Sequence, residues 1–143
     1  MVDNPIQELS ADEAWALLAT SDVGRIALSV GGQPDIFPIN YYAGDGRVLM
    51  RTAEGTKLAE LAVNGKVAFE ADAYDADGGW SVVVKGSARV LSTGAEIAKA
   101  DEAPLRPLIP TLKYNYVRIV AASVSGRDIR RGEEPDRYGV QEY

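Results

Sequence analysis

Short stretches in which apolar and polar residues alternate, each ended by a turn rich in glycine, dominate this sequence. The clearest is VGRIALSV (residues 23–30), where Ile26 and Leu28 fall on one face and the pair Gly31–Gly32 follows. A period of two residues predicts a strand with one buried face, and a glycine pair directly after it predicts a hairpin turn. We therefore expect the first three such strands to form an antiparallel meander, paired in sequence order.

The same alternation predicts six strands in all, with short helices between some of them. The strands are predicted at residues 23–30, 34–42, 47–52, 66–73, 80–91 and 113–124, and the helices at about 11–19, 56–64 and 94–100. Capping-box spacings mark two helix starts, at Ser10 and Thr93. A sheet of this kind must close or be covered to hide its edges. We therefore expect a mainly β protein, a six-stranded antiparallel barrel with short peripheral helices.

Two residues interrupt this regular pattern. Pro38 lies inside the second predicted strand, and a proline there requires an edge position or a bulge because it lacks an N–H group. Gly86 lies inside the longest strand and predicts a bend or bulge.

The length of 143 residues predicts a single domain, residues 1–143, with peripheral tails at 1–9 and about 131–143. No apolar run approaches the ~20 residues that a membrane span requires. The acidic and polar start MVDNPIQELS does not resemble a signal peptide. We expect a cytoplasmic protein without a membrane partner.

The composition limits which partners and which catalytic groups this chain can have. The net charge is −6, which argues against a nucleic-acid partner because such binding normally requires a basic face. The sequence contains no Cys and no His, which excludes thiolate nucleophiles and the usual catalytic triad and leaves no predicted metal site. No catalytic side chain can be named, and reactivity is expected to come from a bound cofactor.

One segment, LMRTAEGTKLAELA (residues 49–62), gathers cationic and hydroxyl side chains where a strand gives way to a helix. Arg51, Thr52, Thr56 and Lys57 surround Gly55. Unpaired N–H groups at a helix start, with two cations and two hydroxyls, suit a phosphate group. The spacing alone equally allows Thr56 to be an ordinary N-cap with Arg51 and Lys57 as solvated surface charges.

Other polar and aromatic residues have ordinary structural explanations beside functional ones. The acidic stretch DAYDADGG (residues 72–79) lacks the EF-hand spacing and predicts a solvated turn. Trp80 and Tyr41 could stack on a flat ring or pack in the core. Arg106 and Arg118 could pair with an anion or with a carboxylate.

The segments VGRIALSVGGQPDIFPINYYAGDGRVLMRTAEGTKLAEL, VAFEAD, GWSVVVKGSARVL and VRI…VSGR occur together in one order. Together they resemble the pyridoxamine 5′-phosphate oxidase-like family of flavin-binding split β-barrels, and most of all its small branch of flavin-nucleotide-binding proteins. The resemblance runs from about residue 8 to about residue 130.

The resemblance implies a split barrel that forms a homodimer and binds FMN in two clefts at the interface. The segment RTAEGTK would hold the cofactor phosphate, the segment FPINYY would lie beside the isoalloxazine with mainly backbone contacts, and the segment around Trp80 would reach the flavin from the partner subunit. The implied cofactor-binding residues are Pro38, Ile39, Asn40, Tyr41, Arg51, Thr52, Thr56, Lys57, Trp80 and Ser81.

The function implied by the resemblance is an FMN-dependent oxidoreductase that passes a hydride to a small planar or quinone-like substrate. Oxidation of pyridoxamine phosphate itself is not expected, because the true oxidases carry a C-terminal histidine that this chain lacks. Three alternatives stay open: a reductase that uses the deazaflavin coenzyme F-420 in the same barrel, a flavin-binding module without turnover, and a dimerising scaffold without a cofactor.

Overall fold

Seven strands and three helices form the described part of the chain, residues 4–53, 55–105 and 115–133 of a computed structural model. In chain order they are β1 (Ile6–Leu9), α1 (Ala11–Leu18), β2 (Val23–Val30), β3 (Gln33–Gly44), β4 (Arg47–Thr52), α2 (Thr56–Val63), β5 (Lys66–Tyr74), β6 (Gly78–Val90), α3 (Gly94–Asp101) and β7 (Asn115–Arg130).

The strands pair antiparallel in the order β1-β7-β4-β3-β2-β5-β6, and β6 pairs in turn with β7. The strands β2 to β7 therefore close into a six-stranded barrel, and β1 extends the sheet beside β7. The predicted fold class is confirmed. The strand count differs by one because Ile6–Leu9, predicted to be part of a peripheral tail, pairs with residues 126–129 of β7.

The last strand is longer than the sequence predicts. Its polar second half, SGRDIR (residues 125–130), was expected to follow the strand, yet β7 continues to Arg130. Pairing with β1 on one edge and with β6 on the other satisfies the backbone groups of this half, so its polar side chains do not prevent strand formation. Residues 106–114, including Arg106, and 134–143 lie outside the described part.

The barrel interior is filled by the apolar residues of each alternating strand. The largest fully buried side chains of this core are Leu18 of α1 and, from the strands, Ile26, Val48, Met50, Phe69, Val82, Val84, Val117 and Ile119. Gly24 is required at its position, since a Cβ there would lie 2.6 Å from the Phe69 ring. The register of β6 against β7 shifts between Lys85 and Gly86, which confirms the predicted bulge. None of the helices in the described ranges is long and apolar enough to cross a membrane.

The strands β3 and β4 separate at one end of the barrel. They pair only over Tyr41–Gly44, and within the described residues the preceding stretch, Gln33–Asn40, pairs with β2 alone. Pro38 lies in this single-sided stretch, so the edge position predicted for it is confirmed. Continued pairing would place Arg51 opposite Asn40, but the ladder ends at the pair Tyr41–Met50. We call this opening the β3–β4 split.

Candidate functional site

The helix α2 begins at the β3–β4 split without a capping side chain. Its N-cap is Gly55, with φ 157° and ψ −163°, and no side-chain hydrogen bond caps the helix start. That backbone conformation is essentially restricted to glycine. The alternative in which Thr56 is an ordinary N-cap is therefore wrong: Thr56 is the first helical residue, and the preceding turn depends on Gly55.

A bare helix start is suited to an anion. The first N–H groups of α2 have no acceptor inside the helix, and the helix dipole is positive at this end. The first turn contains no acidic residue and carries Lys57 instead. A phosphate at this position would meet N–H donors, a positive dipole and a nearby ammonium group.

Two contacts hold α2 beside the strands of the barrel. The Nζ atom of Lys57 lies 5.4 Å from the centre of the Phe37 ring, which ties the helix start to β3. The side-chain amide of Asn64, just past the helix end, donates to the carbonyl of Ser29 at 2.8 Å. The structure thus brings the segment RTAEGTK next to the segment FPINYY.

Arg51 is positioned by a chain of aromatic and acidic groups. Its guanidinium carbon lies 5.3 Å from the centre of the Tyr116 ring, and the Tyr116 hydroxyl donates to Asp101 at 2.5 Å. Burial, together with the hydrogen bond to Asp101, raises the pKa of Tyr116, so the hydroxyl stays a donor. Sequence reasoning missed Tyr116 and Asp101, because only the pairing of β7 with β4 brings them to Arg51.

Thr52 and Thr56 differ in exposure. The side chain of Thr52 is buried, and its hydroxyl donates to the carbonyl of Ala53 at 3.1 Å. Thr56 is exposed at the helix start. Of these two residues, Thr56 is therefore the one that a ligand from solvent can reach.

The four predicted residues of β3 point alternately inward and outward. Ile39 and Tyr41 are buried in the core, while Pro38 is exposed and Asn40 is half-buried. The Tyr41 hydroxyl donates to the carbonyl of Leu18 at 2.7 Å, and burial raises the pKa of Tyr41 to about 12. Tyr41 is thus a core residue, and its side chain is not available to stack on a ligand in this structure.

The backbone of β3 also alternates between its two edges. The N–H group of Tyr41 donates to Asp22 on the β2 side at 3.0 Å. With a period of two, the backbone groups of Pro38 and Asn40 face the opposite edge, toward the β3–β4 split. An N–H group at position 38 would point into the split, where no strand in the described residues is paired with β3. The absence of this group in proline therefore breaks no hydrogen bond of the described sheet.

Trp80 and Ser81 lie far from the start of α2 within one chain. Ser81 is paired with Arg127 of β7, whereas Arg51 is paired with Tyr116, eleven residues earlier on the same strand. That separation is roughly 36 Å along the strand. Trp80 packs against the barrel core. A single chain thus assembles the predicted phosphate and β3 residues, but it leaves Trp80 and Ser81 at the other end of β7.

Two further sequence candidates have structural roles. Asp75 accepts hydrogen bonds from the backbone N–H groups of Asp77 and Gly78 at 2.8 and 3.1 Å, as expected for an acidic turn. Arg118 pairs with the carboxylate of Glu96 at 3.0 Å, which is the structural option left open for it.

The fold and the site define a class: a closed antiparallel barrel with an anion-suited helix start where two strands part. The chain belongs to the pyridoxamine 5′-phosphate oxidase family, which it matches over residues 10–128.

Solved structures agree with this assignment. A proposed pyridoxamine 5′-phosphate oxidase from Corynebacterium glutamicum is 43% identical, with a TM-score of 0.85, and the match covers 94% of this chain and 100% of that one. An FAD-binding protein from Mycobacterium smegmatis is also 43% identical, with a TM-score of 0.77 over 87% of this chain and 98% of that one. An FAD-binding protein from Mesorhizobium loti is 26% identical, with a TM-score of 0.76 and coverage of 88% and 98%.

Proposed function

We propose that this protein binds a flavin nucleotide, FMN, with its phosphate at the start of α2, and uses it to transfer a hydride to a small planar or quinone-like substrate. The observation that carries the proposal is the bare start of α2, where Gly55 is the N-cap and Lys57 occupies the first turn. Two relatives that bind FAD support a flavin as the ligand.

The donor set fits a phosphate dianion. The helix start offers backbone N–H groups, Lys57 lies in its first turn and Thr56 is exposed there, while Arg51 lies on β4, five residues before Thr56. Hydrogen bonds to a charged group contribute about 1.5–3 kcal/mol each, so a few of them account for firm retention of the cofactor. The stack of Arg51 on Tyr116 limits the side-chain freedom that phosphate binding would otherwise have to remove.

The outward edge of β3 would orient the ring system. Pro38 and Asn40 turn their backbone groups toward the β3–β4 split, and the exposed side chains of Ile36 and Pro38 offer an apolar surface that excludes water. A bound flavin supplies hydride acceptance and donation, chemistry that a chain without His or Cys does not provide from its own side chains.

We further propose a homodimer with cofactor clefts at the interface. Trp80 and Ser81 cannot meet the start of α2 of their own chain across the length of β7, whereas a second copy could present them there. Large apolar side chains on the surface agree with an interface: Ile36 is 63% exposed and Val63 is 72% exposed.

Phosphate anchoring is shared by FMN, FAD and the deazaflavin F-420, so ligand identity needs a direct test. Protein as purified is examined by absorbance, released ligand is identified by mass, and the apoprotein is titrated with each of the three. We expect flavin absorbance and the tightest binding for FMN. Deazaflavin absorbance would establish the F-420 alternative, and binding of none of the three would overturn the proposal.

Turnover separates an oxidoreductase from a binding module. Flavin-loaded protein is mixed with a reduced nicotinamide and a series of quinones, and we expect steady oxidation of the nicotinamide. A protein that retains flavin without any turnover across the series would be a binding module.

The anchor itself is tested by the double variant Arg51→Ala/Lys57→Ala. Two lost charge-assisted hydrogen bonds at about 1.5 kcal/mol each predict a loss of FMN affinity of at least about 100-fold. The matched control is Lys66→Ala/Lys85→Ala, which removes two exposed cations from the neighbouring strands β5 and β6. Equal affinities in the two double variants would refute the phosphate site.

A further inference from the structure

A second concave surface lies between α3 and the outer face of the sheet. This groove has a volume of about 350 Å³, within the range of small-molecule sites. Tyr42, Leu49 and Leu91 supply its apolar lining, and Arg47 and Lys99 contribute to its wall. The neighbours of Leu49 on β4, Val48 and Met50, point into the barrel, so the groove lies on the outer side.

The groove is distinct from the start of α2. None of Arg51, Gly55, Thr56 and Lys57 lines it. Arg47 and Arg51 lie on the same face of β4 but are four residues apart, or roughly 13 Å along the strand. The two sites therefore share a strand and not a binding surface.

The charges around the groove are unequal. Its lining includes three basic residues and two acidic ones in a protein whose net charge is −6. One of the acids, Glu96, is already engaged by Arg89 and Arg118. Within the described ranges, no ion pair is formed by Arg47 or Lys99. Two cations are thus available beside an apolar surface.

Arg118, which also lines the groove, has an enclosed N–H donor without an acceptor among the described residues. Its guanidinium donates to Glu96, but its Nε atom is enclosed without a hydrogen-bond acceptor in the described part of the chain. An enclosed donor without an acceptor is destabilising. A negative charge brought into the groove would offset part of that cost by Coulomb attraction to the whole guanidinium.

We propose that this groove is a binding site for a small amphipathic anion, an aromatic carboxylate whose ring lies on Tyr42, Leu49 and Leu91 while its carboxylate meets Arg47 and Lys99. The site takes its own ligand and rests on no part of the proposed flavin chemistry. Selectivity comes from the two cations, and the apolar surface contributes affinity without regard to charge.

The test uses the full-length protein, both as apoprotein and after addition of FMN. Three probes share one ring system and differ in charge: 1-naphthoate, 1-naphthalenemethanol and 1-naphthylmethylammonium. We expect naphthoate to bind saturably and at least about tenfold more tightly than the ammonium probe, the effect of about one charge-assisted hydrogen bond. In ¹⁵N NMR spectra, the amide shifts should centre on Leu49, Leu91 and Lys99.

Variants then locate the interaction. Arg47→Ala and Lys99→Ala should each weaken naphthoate binding about tenfold, whereas the control Lys66→Ala, an exposed lysine elsewhere, should leave it unchanged. Ala95→Trp, at an exposed position that lines the groove, should abolish binding of all three probes while circular dichroism and the melting temperature stay close to wild type.

Three results would overturn the proposal: equal binding of the anionic and cationic probes, loss of binding in Lys66→Ala equal to that in Lys99→Ala, or amide shifts centred on Gly55 and Lys57. The last result would assign the anion to the start of α2, and it would leave the proposed flavin site standing while removing the groove as a separate site.

Discussion

The three helices of this protein begin in two different ways. The helix α1 starts with a complete capping box between Ser10 and Glu13, and α3 starts with Thr93 accepting from the backbone of Glu96. Both have acidic residues in the first turn. The helix α2 has a glycine N-cap, no capping side chain and no acid in its first turn. Side chains cap two of the helix starts, and the third, which no side chain in the described residues caps, is the one at which we propose phosphate binding.

Capping side chains stabilise α1 and α3, whereas the uncapped start of α2 gives up that stability at the proposed binding site. A capping side chain is worth about 1 kcal/mol, and an acid near the N-terminus adds about 0.3–1 kcal/mol. The helix α2 forgoes both and is held instead by Leu61 in the core and by Asn64 bonded to β2. A helix start that is secured from its far end can keep its N–H groups open for an anion.

Giving α2 the acidic first turn of the other helices should produce the largest effect. We expect Thr56→Glu to lower FMN affinity at least about 100-fold, because a carboxylate beside the phosphate costs several kcal/mol. The same change should stabilise the apoprotein by about 0.3–1 kcal/mol. Fluorescence titration and urea unfolding measure the two effects. Thr56→Gln is the neutral control of equal size, and the idea fails if Gln and Glu weaken binding alike.

A methyl group at the N-cap of α2 should have the next largest effect. We expect Gly55→Ala to destabilise the apoprotein by about 1–3 kcal/mol, because alanine does not tolerate this backbone conformation. Steric clash is not the cause, since an added Cβ meets no atom of the described chain within 4 Å.

Gly94, the first residue of α3, is the matched control for that substitution. It has equally open surroundings and no positive φ, so Gly94→Ala should leave stability unchanged or raise it by about 0.4–1 kcal/mol. Equal destabilisation of the two variants in urea unfolding would remove the special status of Gly55.

Removal of the caps from the other two helices should act on stability alone. Ser10→Ala and Thr93→Ala should each cost about 1 kcal/mol in the free energy of unfolding. Neither should change FMN affinity, since both caps lie on other helices. A weakening of FMN binding as large as that in Thr56→Glu would contradict the proposal that only the start of α2 contributes to FMN binding.

The cap of α3 should also make a small pH-dependent contribution. A hydrogen bond from Arg89, followed by one from Thr93, lowers the pKa of Glu96 to about 2 from its ordinary value of 4.5. A carboxyl with a lowered folded-state pKa contributes stability above its unfolded value and loses it as the pH falls through its folded value. The difference in unfolding free energy between wild type and Glu96→Gln should therefore shrink between pH 4.5 and 2. A difference that is constant over this range would show that the ionised carboxylate contributes nothing.

Local patterns in the sequence predicted most of the fold. The alternation of β2, the capping box at Ser10, the proline in β3 and the glycine bulge in β6 are each short-range signals, and the structure confirms each of them. The proposed phosphate site could be named from the sequence for the same reason, since Arg51, Gly55 and Lys57 lie within seven residues of one another.

Features that depend on distant pairing could not be predicted. The polar half of β7 becomes a strand because β1 and β6 pair with it, and nothing within residues 125–130 indicates those partners. The contact of Asp101 with Tyr116, and of Tyr116 with Arg51, joins α3, β7 and β4. The groove beneath α3 arises from the same packing. Each of these features is a property of the closed barrel and not of any one segment.

Pro38 has a consequence for how the open edge of β3 resists pairing with a foreign strand. An open strand edge that binds a small ligand could also pair with a strand of another polypeptide and start aggregation into a fibre. A foreign strand needs a backbone N–H donor at every second residue of that edge, and Pro38, in the middle of it, has none. A small ligand that needs only one or two hydrogen bonds can bind without the N–H group that is missing at Pro38. Pro38 thus weakens the pairing of a foreign strand at this edge, whereas the small ligand that we propose there does not depend on the missing donor.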